Sequence, residues 1–179
     1  ASLDAENDAP VLLQGETGTG KGILARWIHD RSRRARQEFV EVNCSVLRVE
    51  LLASELFGHA KGAFTSADRD RPGLIEFADG GTLFLDEIGD MDSALQTQFL
   101  KVIEEKRYRR LGEVRPRQSE FRVLCATHRD LQKEVAGGTF RSDLFFRIDV
   151  FPIQLPPLRA MLGELPGLID HLLGGLGAA

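Results

Sequence analysis

The chain has 179 residues, 42% hydrophobic, 28% charged and 7% aromatic, which is enough apolar material to bury one globular core. That composition excludes disordered, collagen-like and disulfide-scaffold classes. With 27 acidic against 23 basic side chains and a net charge of −4, overall charge does not make the surface a trap for nucleic acid, and only a local basic patch could bind it. No apolar run approaches the roughly 18 residues of a spanning helix, and the first residues lack a basic stretch followed by an apolar one, so a cytoplasmic protein without membrane contact is expected.

Val11–Gln14 is a short apolar run ending at a glycine-rich turn, and beyond Lys21 the residues Ile23, Leu24, Trp27 and Ile28 recur at helical spacing. Phe39–Asn43 alternates like a second strand, and Val49–Phe57 carries Leu51, Leu52 and Leu56 on a helical period. A long polar segment follows. Thr82–Asp86 is a continuous apolar run, as in a strand covered on both faces. Leu95, Phe99, Val102 and Ile103 mark a helix, residues 121–126 and 150–155 read as two further strands, and residues 131–135 and 144–148 read as helical pieces between them. Alternating strands and helices imply a mostly parallel five-stranded sheet in an α/β fold. Pro156-Pro157 is the boundary signal, with a last helical stretch expected at 162–173. Cys44 and Cys125 sit singly in apolar runs and read as reduced core residues, not as a disulfide or metal pair.

The chemistry begins in Gly15-Glu-Thr-Gly-Thr-Gly20-Lys21, between the first strand and the first helix. Glycines there let backbone amides converge on phosphate oxygens, the helix N-terminus adds a favourable dipole, and Lys21 reaches the outer phosphates. Gly15, Glu16, Thr17, Gly18, Thr19, Gly20, Lys21 and Gly22 are therefore the candidate ATP or ADP contacts. Gly22 replaces the usual Ser or Thr, so no hydroxyl follows the lysine to ligate Mg²⁺. That duty falls to Asp86 and Glu87, at the end of the apolar strand, where such a strand opens on the ligand crevice. Asp86 would hold Mg²⁺ directly or through water, and Glu87 would orient and deprotonate the attacking water.

With these motifs placed, the sequence resembles the central AAA+ ATPase domain of bacterial sigma-54-dependent transcription activators. The resemblance also includes Val42-Asn43-Cys44, Glu55-Leu-Phe-Gly-His59, Gly62-Ala-Phe-Thr-Ser-Ala67, Gly80-Gly-Thr-Leu-Phe-Leu-Asp-Glu-Ile88, Ala126-Thr-His-Arg-Asp-Leu131 and Phe140-Arg-Ser-Asp-Leu-Phe-Phe-Arg-Ile148. It implies a P-loop NTPase core, a three-layer αβα sandwich over residues 1–157, followed at 158–179 by the start of an otherwise missing helical lid. It implies that Gly62, Ala63, Phe64, Thr65, Ser66 and Ala67 form a surface loop that touches sigma-54 when ATP is bound and helps remodel the polymerase holoenzyme for open-complex formation. It implies that Arg141 or Arg147 reaches a neighbour's γ-phosphate, which requires a homo-oligomeric ring of six or seven copies. His128 would read the γ-phosphate, and Asn43 would clamp Glu87 before activation.

Two positions depart from the family. Gly22 stands where glutamate is common, and is expected to loosen the first helical turn. Ser66 stands where the family has glycine able to take positive φ, a conformation costing a residue with Cβ roughly 1–2 kcal/mol. These departures and the short lid suggest a second reading, a nucleotide-gated interaction module with little hydrolysis. A phosphotransferase with a small-molecule acceptor is a third reading, disfavoured by the lack of an acceptor-site motif. The basic segment Lys106-Arg-Tyr-Arg-Arg110, with Arg115 and Arg117, reads as a solvated loop. No DNA-binding helix-turn-helix pattern is seen in this chain.

Overall fold

A computed structural model describes residues 8–46, 48–65 and 67–164. In chain order the elements are β1 (Val11–Gln14), α1 (Lys21–Asp30), β2 (Phe39–Asn43), α2 (Val49–Phe57), β3 (Gly58–His59), β4 (Arg71–Pro72), α3 (Leu74–Phe77), β5 (Thr82–Asp86), α4 (Ser93–Glu105), β6 (Arg107–Tyr108), β7 (Arg117–Gln118), β8 (Arg122–Thr127), α5 (Leu131–Ala136), α6 (Ser142–Ile148) and β9 (Phe151–Gln154). Short 3₁₀ turns follow at Ile88–Asp90, Leu158–Ala160 and Leu162–Glu164. The remainder of the helix expected at 162–173 lies outside the described residues.

Five strands form one parallel sheet in the order β2-β5-β8-β1-β9. Position in the sheet explains their composition. The inner strands β5 and β8 are buried almost end to end because helices cover both faces, whereas edge strand β2 alternates, with Val40 and Val42 inward and Glu41 exposed. Pro152, which has no N–H to donate, falls on edge strand β9. One face packs Leu12, Leu83, Leu85, Val123 and Cys125 against α2, α4 and α6. The other packs Val11, Leu13, Phe84, Leu124 and Ala126 against Ala25 and Ile28 of α1. This is the expected αβα sandwich. Cys44 and Cys125 are buried free thiols; burial pushes Cys44 up to about 12 and Cys125 higher still, so both are inert core residues.

The polar stretches hold more structure than local pattern suggested. Between α2 and β5, the antiparallel pair β3–β4 closes a loop over residues 60–70, and α3 follows it. The basic segment is likewise not a solvated loop: β6 and β7 form a hairpin in which Tyr108 is buried. Arg110 grips Glu76 of α3 through two guanidinium nitrogens at 2.8–3.3 Å, Tyr108 donates its hydroxyl to the same carboxylate at 3.2 Å, and Arg117 lies 3.6 Å from it. Glu76, more than thirty residues away, thus anchors Arg110 and Tyr108, while Arg117 pairs more closely with Glu113 at 2.9 Å and Arg107, Arg109 and Arg115 stay exposed. The Glu76 contacts lie beyond any local reading of composition.

Candidate nucleotide-binding site

The C-terminal ends of β1, β5 and β8 lie side by side, so the segments leaving them converge on one crevice. At the end of β1, Gly15 donates its N–H to Thr127 O at 3.2 Å, and the loop turns on a Thr19 N–H to Glu16 O bond of 3.3 Å, supported by the Thr19 hydroxyl at 2.8 Å. Gly18 and Gly20 both take φ +86°, where a Cβ would meet open space; the backbone conformation itself selects glycine. The loop and the first turn of α1 leave the amides of Gly18, Gly20, Lys21 and Gly22 without an acceptor among the described residues. This is the anion-receptive arrangement of a helix N-terminus. Gly22 does not delay the helix, which begins at Lys21.

Lys21 is buried, and its ammonium donates to Gly15 O at 2.9 Å and Glu16 O at 3.2 Å while lying 3.7 Å from Glu87 Oε1. The Glu16 side chain instead faces outward to Arg159, 2.7 Å away, a contact made by the segment after β9 that sequence reading missed.

Asp86 ends β5 directly opposite Asn43 of β2. In this structure Asn43 Nδ2 donates to Asp86 Oδ2 at 3.2 Å, and its Oδ1 accepts from Ser45 N and Oγ, so the amide faces the residue across the ladder and makes no contact with Glu87. Glu87 turns away with φ 53° and ψ 48°, a left-handed conformation that is uncommon for a residue with a side chain and is often found at functional positions. Its Oε2 accepts from His128 Nδ1 at 2.7 Å and from the His128 amide at 3.1 Å. Burial, then the neighbouring Glu87 charge, raises the Asp86 carboxyl above the ordinary range, opposed by the Glu87 amide, Lys21 and Asn43. Arg129, in the Ala126-Thr-His-Arg-Asp-Leu131 motif but with no role assigned from the sequence, pairs with Asp90 at 2.7 Å and braces the turn after Glu87.

Among the described residues no cluster of three or more His, Cys, Asp or Glu side chains could hold a metal on its own. The donors at the strand end thus fit an ion that completes its shell with phosphate oxygens and water.

Arg141 and Arg147 lie away from this crevice. Arg141 immediately precedes α6, its side chain paired with Asp143 at 2.6 Å and with Thr97 Oγ1 at 3.2 Å, while its backbone amide is fixed by the buried Gln96 at 2.8 Å. Arg147 is exposed in the last turn of α6, beside the equally exposed Phe146. Neither arginine contacts Lys21, Asp86 or Glu87.

The loop after β3 is folded on itself: Gly62 N–H donates to Ala67 O at 2.8 Å, Ala67 N–H to Phe64 O at 2.9 Å, and Lys61 N–H to Asp70 Oδ1 at 2.7 Å. Ala67 is buried, Ala63 is half-buried and Gly62 takes φ +79°. Phe64 is 39% exposed and Thr65 is exposed beside it. Ser66 lies outside the described residues.

Comparison with known proteins agrees with this geometry. The family described as the sigma-54 interaction domain matches residues 1–154. The chain belongs to that family. It is 47% identical to a Nif-specific regulatory protein of Rhizobium leguminosarum bv. trifolii over 97% of this chain and 49% of the relative, and 48% identical to the transcriptional regulatory protein GlrR of Escherichia coli over 97% of this chain and 39% of the relative. The chain thus spans half or less of these relatives. Among solved structures, NtrX from Brucella abortus in complex with ATP superimposes with a TM-score of 0.86 at 34% identity, covering 96% of this chain and 39% of that one. The P-loop NTPase domain of a sigma-54 activator from E. coli shares the fold, with a TM-score of 0.56 at 22% identity over 86% of this chain and 87% of that one. This sigma-54 interaction domain is accordingly an AAA+ P-loop NTPase fold of the kind found in transcriptional regulators. Among its described residues no helix is long and apolar enough to cross a membrane.

Proposed function

We propose that the domain binds ATP in the crevice at the ends of β1, β5 and β8, hydrolyses it, and uses the cycle to engage sigma-54 through the loop around Phe64. The observation that carries this reading is the convergence of Lys21, Asp86, Glu87 and His128, from three strand ends, around a helix N-terminus with unused amides. The loop amides receive the phosphates, and Lys21 exchanges its carbonyl contacts for phosphate oxygens. Mg²⁺ bound with the nucleotide would neutralise charge on the outer phosphates. Asp86 is the carboxylate placed to hold it, with Asn43 orienting that carboxylate. Glu87 positions the attacking water and takes its proton, and His128 stands beside it to contact the γ-phosphate.

Arg141 and Arg147, exposed and remote from their own crevice, suit service in trans, so turnover requires a ring of copies. The loop of Gly62, Ala63, Phe64, Thr65, Ser66 and Ala67 is the partner-binding segment, with Phe64 and Thr65 its exposed residues and buried Ala67 anchoring its base; an exposed aromatic is an effective anchor. The nucleotide core extends to residue 157, and residues 158–179 begin the lid.

The test is Mg²⁺-dependent ATPase activity per chain across a hundredfold range of protein concentration. Activity that rises with concentration is expected from a finger acting in trans. Nucleotide binding with flat, negligible turnover would overturn the hydrolytic reading and leave a nucleotide-gated module.

A further inference from the structure

His59 ends the Glu55-Leu-Phe-Gly-His59 run, and the nucleotide cycle described above gives it no task. It is also among the few buried polar side chains. Its backbone is held from both sides: β3 pairs with Arg71 and Pro72 of β4, while Ala60 N–H donates to Leu111 O and Leu111 N–H to Gly58 O, each at 2.9 Å. The approach at β3 is close enough that a Cβ on Gly73 would lie 2.3 Å from Gly58 N. The imidazole is held from α2, with Nδ1 2.8 Å from the buried Ser54 hydroxyl. Helix, hairpin and loop thus meet at one immobilised ring.

Phe64 stands on that ring. The two centroids are 4.9 Å apart and the planes meet at 66°, the edge-to-face arrangement that aromatic pairs prefer. The rest of the tip is held mainly by backbone turns, with Gly62 in a left-handed conformation. An aromatic anchor on a flexible turn loses affinity to the entropy of ordering it, unless something orders it beforehand.

We propose that His59 is a positioning residue for sigma-54 engagement: its buried ring, fixed by Ser54, is the platform that holds Phe64 at the tip of the loop. The inference rests on the proposed contact between this loop and sigma-54. What the platform supplies is the ring; the Ser54 contact keeps the ring in place. Replacing both members by a packed pair that retains an aromatic should therefore preserve function, and a packed pair lacking one should not.

The test compares Ser54→Ala/His59→Phe with Ser54→Ala/His59→Leu, two variants that remove the polar pair and put an apolar side chain in place of the imidazole, one aromatic and one not. Sigma-54 affinity is measured with Mg²⁺ and a non-hydrolysable ATP analogue, alongside kcat and KM for ATP and thermal stability. The phenylalanine variant should bind within about twofold of the parent and the leucine variant about tenfold more weakly, the scale of one aromatic pair, with the ATPase constants of both unchanged. Equal binding by the two variants, equal loss in both, or a fall in kcat matching the fall in affinity would overturn the proposal. Phe64→Ala is run beside them. If Phe64→Ala binds sigma-54 normally, the loop contact itself fails, a result distinct from failure of the platform.

Discussion

The nucleotide crevice and the loop around Phe64 are built by opposite means. The crevice sits on the ends of inner strands whose residues are buried on both faces, with Asp86 and Glu87 at the end of β5 and Lys21 opening the helix that follows β1. The loop hangs from strands of two residues each, β3 and β4, and is steadied by a neighbouring hairpin anchored through Glu76. Chemistry that needs reacting groups held to a fraction of an ångström is placed on the central sheet, and the exposed aromatic is carried by a peripheral loop tied down by turns and a ring contact.

The sharpest way to break this comparison is to remove the groups meant to act between copies. Arg141→Ala/Arg147→Ala should lower assembled turnover by about 10³-fold or more while ATP affinity measured on dilute protein stays near the parent. An unchanged rate would remove both arginines from the reaction. Glu87→Ala comes next, with turnover expected to fall by about 10²–10⁴-fold and nucleotide binding retained, whereas Lys21→Ala should lose both. Equilibrium nucleotide binding and single-turnover hydrolysis separate these outcomes.

On the loop side, Glu76→Ala strands Arg110 and the Tyr108 hydroxyl together. It should cost about 2 kcal/mol in denaturant unfolding and weaken sigma-54 binding more than it alters ATP hydrolysis. If hydrolysis falls in step with binding, the two regions are not separately built. The smallest effect is expected at Gly22, which is exposed and whose added Cβ would lie 3.9 Å from Phe84 Cε1, an ordinary contact. Gly22→Ala should stabilise the domain by about 0.5–1 kcal/mol, read as a modest rise in Tm, through improved helix propensity and lower unfolded-state entropy.

Legibility in the sequence follows the same division. The parallel strands and the helices packed on them were readable because apolar period and turn chemistry are local properties. The phosphate loop was readable because positive φ selects glycine at Gly18 and Gly20. Asn43 shows where local reading stops. Its place at the end of β2 was evident, but the ladder register aligns it with Asp86 and not with Glu87. The basic hairpin shows the same limit, since Arg110 and Tyr108 acquire their meaning from Glu76. Arg159 carried no signal, and Arg129, though inside the Ala126-Thr-His-Arg-Asp-Leu131 motif, gave no sign of its pairing with Asp90, because a surface arginine is a common residue until its carboxylate is located.

By itself, then, the amino-acid order determined the αβα class, the phosphate-binding loop, the paired carboxylates after β5 and the membership of a family. Tertiary structure decided which side chain holds which. Asn43 went to Asp86, His128 to Glu87 and His59 to Phe64. The physical reason is that backbone preference and burial period act over a few neighbouring residues, while hydrogen-bond partners are chosen by strand register and by chain segments brought together from far apart in the sequence.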